Sequence, residues 1–473
     1  MKRLTPLLPL TLALVLAGCV NLAPKYERPA APVAAAFPTV EGSVNSGNPV
    51  APDAPATIAW QRFFADARLQ QLIQLALANN RDLRVSILNI EQARAAFQIQ
   101  RSARFPAVGA AVTGNRVSTE NGVNSTYQAG LTVSAFELDL FGRVRNLTDS
   151  ALAQYLATEE ARKTAHISLV ASVANTYLAL LADDELLALT QQTLKTREES
   201  LRLTKLRFDN GVVSKLDLQQ AISLVEGARA VLAQQLRLRA QDENALTLLV
   251  GQPLPDSLPP GSTLAKTNLP DLPAGMPSDL LISRPDIRAA EQQLLAANAN
   301  IGAARANYFP RISLTGSAGS ASTELSGLFK GGSFGWTFAP QAILPIFDFG
   351  ARRAGVESAR AGRDIAVARY EKSIQTAFRE VADALAGQAT YSEQLRAVQA
   401  TAESEAARFN LSDLRYRSGT ANYLDLLDAQ RSLFVAQQQA IEANLARLQN
   451  QVTLYRVLGG GWSEPAANTT AAR

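Results

Sequence analysis

The stretch LRYRSGTANYLDLLDAQ at 414–430 repeats, in the same register, the stretch LRFDNGVVSKLDLQQAI at 206–222. Matching positions include Leu206 and Leu414, Arg207 and Arg415, Gly211 and Gly419, Leu216 and Leu424, and Asp217 and Asp425. The offset of 208 holds from Phe141-Gly142 against Phe349-Gly350 through to Val250-Gly251 against Leu458-Gly459. Upstream it becomes 204, pairing Asp82-Leu83-Arg84 with Asp286-Ile287-Arg288 and Phe105-Pro106 with Phe309-Pro310. A chain of 473 residues made of two copies must fold into two like halves, so pseudo-symmetry constrains every architecture open to it. The copies are read as 61–251 and 278–460, with four extra residues in the second between its Phe-Pro and its Phe-Gly.

Each copy runs long helix, strand pair, very long helix, glycine turn, long helix. Residues 143–208 contain neither glycine nor proline, and at about 1.5 Å per residue such a helix would reach ~100 Å. No globular core is that long. Ile441, Leu445, Leu448, Val452 and Tyr455 alternate by four and three, the seam of helices packing side by side. Between Phe-Pro and Phe-Gly the period changes to two: Tyr127, Ala129, Leu131, Val133 and Ala135 alternate with polar or small residues. Phe334, Trp336, Phe338, Ala342 and Leu344 do the same in the second copy. Partner strands are expected at 107–115 and 311–321, giving hairpins at about 107–138 and 311–345 with polar loops near 116–125 and 322–333.

Strands of ~9–11 residues cross a bilayer at a tilt, whereas the competing reading makes these two ordinary soluble hairpins packed on helices. Four strands cannot close a barrel, and open edges in lipid leave backbone groups unpaired. Spanning hairpins therefore require several copies of the chain. Two copies give eight strands with a filled interior and three give twelve with a wider lumen; a hollow trimer is the expected assembly.

The N-terminus carries Lys2 and Arg3, an apolar run from Leu4 to Leu16, and then Ala17-Gly18-Cys19. This reads as a secretory signal over 1–18, with a Leu-Ala-Gly-Cys ending similar to a bacterial lipobox. Cys19 would then become the first mature residue and carry lipid, with Val20 at the next position favouring passage to the outer membrane. Residues 20–57 hold seven prolines and read as part of a tether over 19–60; seven more lie in a connector at 252–277, and a polar tail covers 461–473. No apolar segment beyond Cys19 is read as long enough for a membrane helix.

Cys19 is the sole cysteine, so intramolecular disulfides and thiolate metal sites are excluded. His166, the sole histidine, falls in an alanine-rich helical stretch and is read as a surface or packing residue. Phosphate-cradling glycine loops and catalytic constellations are not found, so an enzyme is not expected and no cofactor is called for. The formal charge of +4 leaves no dense basic face, which argues against nucleic acid as a partner.

The lipobox, the paired Phe-Pro to Phe-Gly hairpins, and above all YRSGTANYLDLLDAQRSLFVAQQQ followed by LYRVLGGGW resemble the outer-membrane factor family. These are TolC-like efflux ducts, and the likeness is to the lipoprotein members of the OprM/NodT kind. The resemblance implies a mainly helical chain with a β-barrel part: tandem long-helix hairpins forming a periplasmic α-barrel, and four transmembrane strands contributing to a twelve-stranded trimeric barrel. It implies a passive exit duct served by an inner-membrane RND transporter and a periplasmic adaptor protein. Alternatives are the duct of an ABC-driven secretion system and a lipid-anchored periplasmic scaffold without a pore.

In that family the glycine turns lie at periplasmic tips that close the tunnel. By resemblance, Asp425 and Asp428 match acidic rings at the constriction, Leu424 an apolar ring, and Tyr416 an aromatic that holds the tips shut. Asp217 matches an aspartate that pairs with an arginine of the second tip, whose position here is Ala421, so Arg415 or Arg417 would have to substitute. Gly211, Gly419, Arg207 and Arg415 fall in the tip turns expected to meet the adaptor. On physical grounds Asp425 and Asp428 share a helix face, and copies around an axis would ring an opening with carboxylates. The plainer role for Asp217 and Asp425 is to cap the helix that follows each turn.

Overall fold

The structure, a computed structural model, describes residues 21–38, 58–120, 122–272, 280–281 and 283–462. The leader, Cys19, Val20, the second half of the tether and the tail from Ser463 lie outside the described residues. Helices α1 (Ala67–Asn79) and α2 (Arg81–Ser102) lead into strands β1 (Val108–Thr119) and β2 (Gly122–Leu138). Helices α3 (Arg143–Asp209) and α4 (Lys215–Val250) complete the first copy. The second copy repeats this with α5 (Pro285–Ala306), β3 (Arg311–Ser322), β4 (Phe334–Ile343), α6 (Ala351–Arg417) and α7 (Tyr423–Val457). The long helices α3 and α6 both have 67 residues, about 100 Å at the helical rise. Tandem duplication is thus visible as element-for-element repetition.

The chain divides into two compact units. One gathers Leu88–Glu160 and Asp286–Ser373 with the chain up to Ala31. Its centre is a four-stranded antiparallel sheet in the order β1-β2-β3-β4. Residues directly opposite in such ladders share a face. On one face the rungs read Val108–Val133–Gly316–Phe338, Ala110–Leu131–Ala318–Trp336 and Val112–Ala129–Ser320–Phe334. The other face reads Gly109–Thr132–Ser317–Thr337, Ala111–Gly130–Gly319–Gly335 and Thr113–Gln128–Ala321. One face is therefore nearly all apolar and the other small or polar. Where the two copies meet at Gly130 and Gly319, a Cβ on Gly130 would lie 2.7 Å from the Gly319 Cα, so neither position tolerates a side chain.

Two sequence expectations are corrected here. The polar stretch 116–125 is not a loop: β1 continues to Thr119 and β2 begins at Gly122, because antiparallel pairing extends past the apolar zone while the period of two persists. The alternation also fails at Ala135, which has φ of 49°, where a bulge between Val133 and Phe136 shifts the register. In the second hairpin 323–333 does form the connection, with a turn of 3-10 helix at Leu325–Gly327. The proline-rich start is fastened as well as extended: Arg28 donates twice to Glu291 at 2.7 and 2.8 Å, and Arg305 reaches the Leu22 carbonyl at 3.0 Å.

The other unit comprises 32–87, 161–285 and the chain from Ile374 onward. Its core includes Leu72, Ile73, Val173, Tyr177, Leu246, Leu448, Val452 and Tyr455. Tyr455 stacks on Phe63 with centroids 4.1 Å apart, and its hydroxyl donates to the Ile58 carbonyl at 2.5 Å. Gly387 lets α6 approach α7, since a Cβ there would collide with the Asn450 amide, which itself donates to the Ala384 carbonyl at 2.9 Å. One 18-residue window of α3 is, contrary to expectation, apolar enough by composition to cross a membrane, with a mean hydropathy of 1.5. It is 61% buried within the protein itself, so its apolar side chains serve helix packing.

His166 packs edge-on against Trp462 with centroids 5.0 Å apart. Burial and the neighbouring Arg162 cation push it down from 6.5 to about 4, opposed by a hydrogen bond with the Gly461 backbone. A folded-state value below the unfolded one means the fold prefers neutral His166, so its contribution is intact above pH 6.5 and lost as pH falls toward 4. In the folded protein His166 takes up its proton around pH 4, so Trp462 fluorescence should shift there, and the shift should shrink in His166→Phe.

The sheet predicts a face-dependent response to charge. Where the apolar face meets lipid, a lysine at Leu131 or Trp336 should cost ~2–4 kcal/mol of stability, and far less at Thr132 or Ser317 on the opposite face. Urea unfolding in vesicles measures the difference.

Candidate functional site at the hairpin tips

Both glycine turns end their helices in the same way. Gly211 and Gly419 have φ of 71° and 76°, the left-handed region in which a residue with a side chain is strained. The Val212 amide donates to the Arg207 carbonyl at 2.8 Å and Gly211 to Phe208 at 2.9 Å. Thr420 donates to Arg415 at 2.9 Å and Gly419 to Tyr416 at 3.1 Å. This double bond pattern satisfies carbonyls that a helix end leaves without intrahelical partners. It also explains why Arg207, Arg415 and the two glycines keep one spacing.

Beyond the turns the hairpins differ. In the first, Ser214 caps α4, and the Asp217 carboxylate accepts from the Ser214 amide at 3.0 Å and hydroxyl at 2.8 Å, a reciprocal capping box. In the second, Asn422 caps α7 by accepting from the Asp425 amide at 2.9 Å. The Asp425 carboxylate takes no hydrogen bond or ion pair among the described residues. The aspartates matched by sequence are thus unequal: Asp217 is engaged in its own cap, and Asp425 faces outward with its charge unused.

Asp428 has a partner across its hairpin. Arg408 on α6 donates to the Asp428 carboxylate at 3.0 Å and to Glu405 at 2.7 Å. Positions 408 and 428 lie ten residues on either side of Ser418, so folding at the turn brings them face to face. That symmetry was available in the sequence, yet Arg408 was not singled out because its partner is twenty positions away. The matching positions of the first hairpin are Ser200 and Gln220, which form no ion pair. Arg408, Ser412, Arg415, Ala421, Leu424, Asp425 and Asp428 line one open groove. Leu424 is 56% exposed at its edge.

The two hairpins are joined by an apolar cluster rather than by charge. Ala221 and Leu224 of α4 are buried with Tyr423, Leu426 and Leu427 of α7, and Leu201, Phe409 and Tyr416 pack around them. The Tyr416 and Tyr423 rings sit 5.4 Å apart, and the Arg207 guanidinium lies 4.9 Å from the Tyr416 centroid. Arg417 is held by Asp413 of its own helix at 2.8 Å and Asp217 is occupied by Ser214, so Arg417 does not pair with Asp217 to stand in for the arginine that Ala421 lacks. Arg197 is buried over Phe434 at 5.1 Å and donates to the Leu224 carbonyl at 3.2 Å. Burial and the nearby Arg431 cation push its pKa below the usual arginine value.

The family model for "Outer membrane efflux protein" matches residues 72–252 and 276–460, one match per copy. The chain belongs to this family. The probable efflux pump outer membrane protein TtgC of Pseudomonas putida is 49% identical over 460 residues, covering 96% of this chain and 94% of TtgC. Outer membrane protein OprJ of Pseudomonas aeruginosa is 48% identical, covering 96% of this chain and 95% of its own. Among solved structures, the open state of the Neisseria gonorrhoeae MtrE outer membrane channel superposes with a TM-score of 0.86 at 40% identity, covering 93% of this chain and 98% of that one. The outer membrane efflux fold that the resemblance implied is therefore present, and the soluble-hairpin and poreless-scaffold readings are set aside.

Within this efflux protein the magnitudes rank the contacts at the tips. An exposed pair such as Arg408–Asp428 is worth ~0.2–1 kcal/mol, and a cation–π contact such as Arg207–Tyr416 ~0.5–1 kcal/mol. Removing a buried aromatic costs ~3–5 kcal/mol. Tyr423→Ala should accordingly loosen both tips by ~3 kcal/mol or more in hydrogen exchange across 200–230 and 410–435. Arg408→Ala should cost less than about 1 kcal/mol and affect only the second hairpin.

Proposed function

We propose that this outer-membrane efflux protein is one protomer of a trimeric exit duct in a tripartite pump, conducting passively what an RND transporter and a periplasmic adaptor deliver. The observation that carries the reading is the sheet. Its apolar residues from all four strands line one face, and β1 and β4 have no further strand beside them among the described residues. Lipid offers no hydrogen bonds to such edges, so they must pair with copies of each other. Three copies bring twelve strands and a water-filled lumen lined by the small and polar face.

The tips would form the closing end. Asp425, with its charge unused, and Asp428, neutralised by Arg408, together with Leu424 would ring the constriction, and Tyr416 with Arg207 would hold neighbouring hairpins together. Gly211, Gly419, Arg207 and Arg415 would present the turns to the adaptor. Cys19, as the lipidated first residue, would anchor the chain in the inner leaflet. No residue of the duct would need to recognise a substrate chemically, because selection rests with the transporter.

Single-channel recording in planar bilayers tests this. Wild-type oligomer should be nearly closed and cation-preferring when it opens; Asp425→Ala should reduce the cation preference, and Arg408→Ala should raise open probability about 1.5–5-fold, the equivalent of a lost exposed ion pair. Absence of any conductance from wild type and both variants would overturn the duct reading.

A further inference from the structure

A second polar site lies in the other unit, where the strands join the helices. Asn21, Arg104, Phe136, Glu137, Leu138, Asp139, Gly142 and Arg145 line a cavity of about 230 Å³. Its acids are already committed. Both Glu137 oxygens accept from Arg143, at 2.7 and 2.6 Å, and Arg311 adds a third bond at 2.6 Å. Asp139 accepts the Val144 and Arg145 amides at 3.0 and 2.7 Å, capping α3.

Its two cations are held more loosely, and Arg104 also reaches the Arg145 carbonyl at 3.5 Å. Arg104 and Arg145 share one carboxylate, Asp149, at 3.3 and 3.9 Å. Both distances exceed the ~2.7–2.9 Å of a well-made charge-assisted bond. Arg143 and Arg311 on Glu137, with Arg104 and Arg145, set four guanidinium forks against the three carboxylates Glu137, Asp139 and Asp149, an excess of one positive charge, and the apolar side chains of Phe136 and Leu138 lie beside them. Phosphate is the anion that such forks match in geometry, and the apolar wall asks for hydrocarbon attached to it.

We infer that Arg104 and Arg145 hold the phosphodiester of a membrane glycerophospholipid, with its acyl chains running along the strand ends past Phe136 and Leu138. This rests on the outer-membrane reading above, which puts these strand ends at the periplasmic leaflet. Asn21 in the cavity wall is two residues along the chain from Cys19, the position proposed above to carry lipid. Charged and aromatic groups gather at this level: Phe141 stacks on Phe309 at 4.6 Å, and Phe347 and Phe349 are 90% or more exposed. That combination is the composition of a membrane–water interface. The inferred lipid would seal the junction where each protomer passes from strand to helix.

Native mass spectrometry of the full-length protein in detergent, titrated with phosphatidylglycerol, tests the site. Arg104→Ala with Arg145→Ala should lower retained lipid by about tenfold, the size of a lost charge-assisted hydrogen bond. Asp149→Asn, which frees both arginines, should raise it, so the inference remains testable if the double variant fails to fold. Arg353→Ala, at an exposed pair with Glu357 outside the cavity, should leave retention unchanged. Equal retention in the double variant, an equal loss in Arg353→Ala, or complete displacement by millimolar inorganic phosphate would each overturn a lipid site. A double variant that retains lipid but falls apart as an oligomer would reassign the arginines to a second copy of the chain, which also overturns it. Wild type that fractionates with the outer membrane yet retains no lipid refutes this inference alone, whereas wild type absent from that membrane refutes the reading beneath it.

Discussion

Unpaired backbone at the edges of β1 and β4 sets the terms for the whole molecule. A four-stranded sheet with one apolar face can leave water only if those edges find partners, and the chain offers none of its own among the described residues. On the proposed trimeric reading, assembly is a condition of membrane insertion. The duplication meets that condition economically: each copy contributes one hairpin, β2 and β3 join the copies internally, and the Gly130–Gly319 approach makes that inner seam tight.

The tips show what duplication leaves free to diverge. Both turns keep the glycine and the carbonyls that close the helix end, because backbone geometry tolerates little else. The residues after the turn are under no such constraint. Asp217 satisfies amides that any helix start must satisfy, whereas Asn422 takes over that task in the second hairpin and leaves Asp425 uncommitted. Asp428 has Arg408 as a facing partner where the first hairpin has Ser200 and Gln220. By magnitude the apolar cluster around Tyr423 outweighs the charged contacts at the tips.

Much of this was legible in the chain before folding. The repeat, the change from helical period to period two, the length of α3 and the turns at Gly211 and Gly419 are local or periodic, and local physics determines them. What escaped was of two kinds. Residues 116–125 look like a loop because their polarity resembles a turn, yet strand pairing continues through them. The apolar window in α3 looked too short to matter, and it is long enough by composition but buried. Arg408 escaped because its role depends on which residue a turn brings opposite it.

The sequence by itself determined that two like halves exist, the order of helices and strands in each, and that the strands alternate in a way suited to lipid on one side. Those features follow from backbone geometry and side-chain periodicity, which need only neighbours along the chain. Tertiary structure alone decided the rest: that β2 pairs with β3, that the apolar rungs of both copies align, that Arg408 faces Asp428, and that Arg104 and Arg145 share one carboxylate. Each of these depends on which groups compete for the same partner in space, and a linear order of residues does not record that competition.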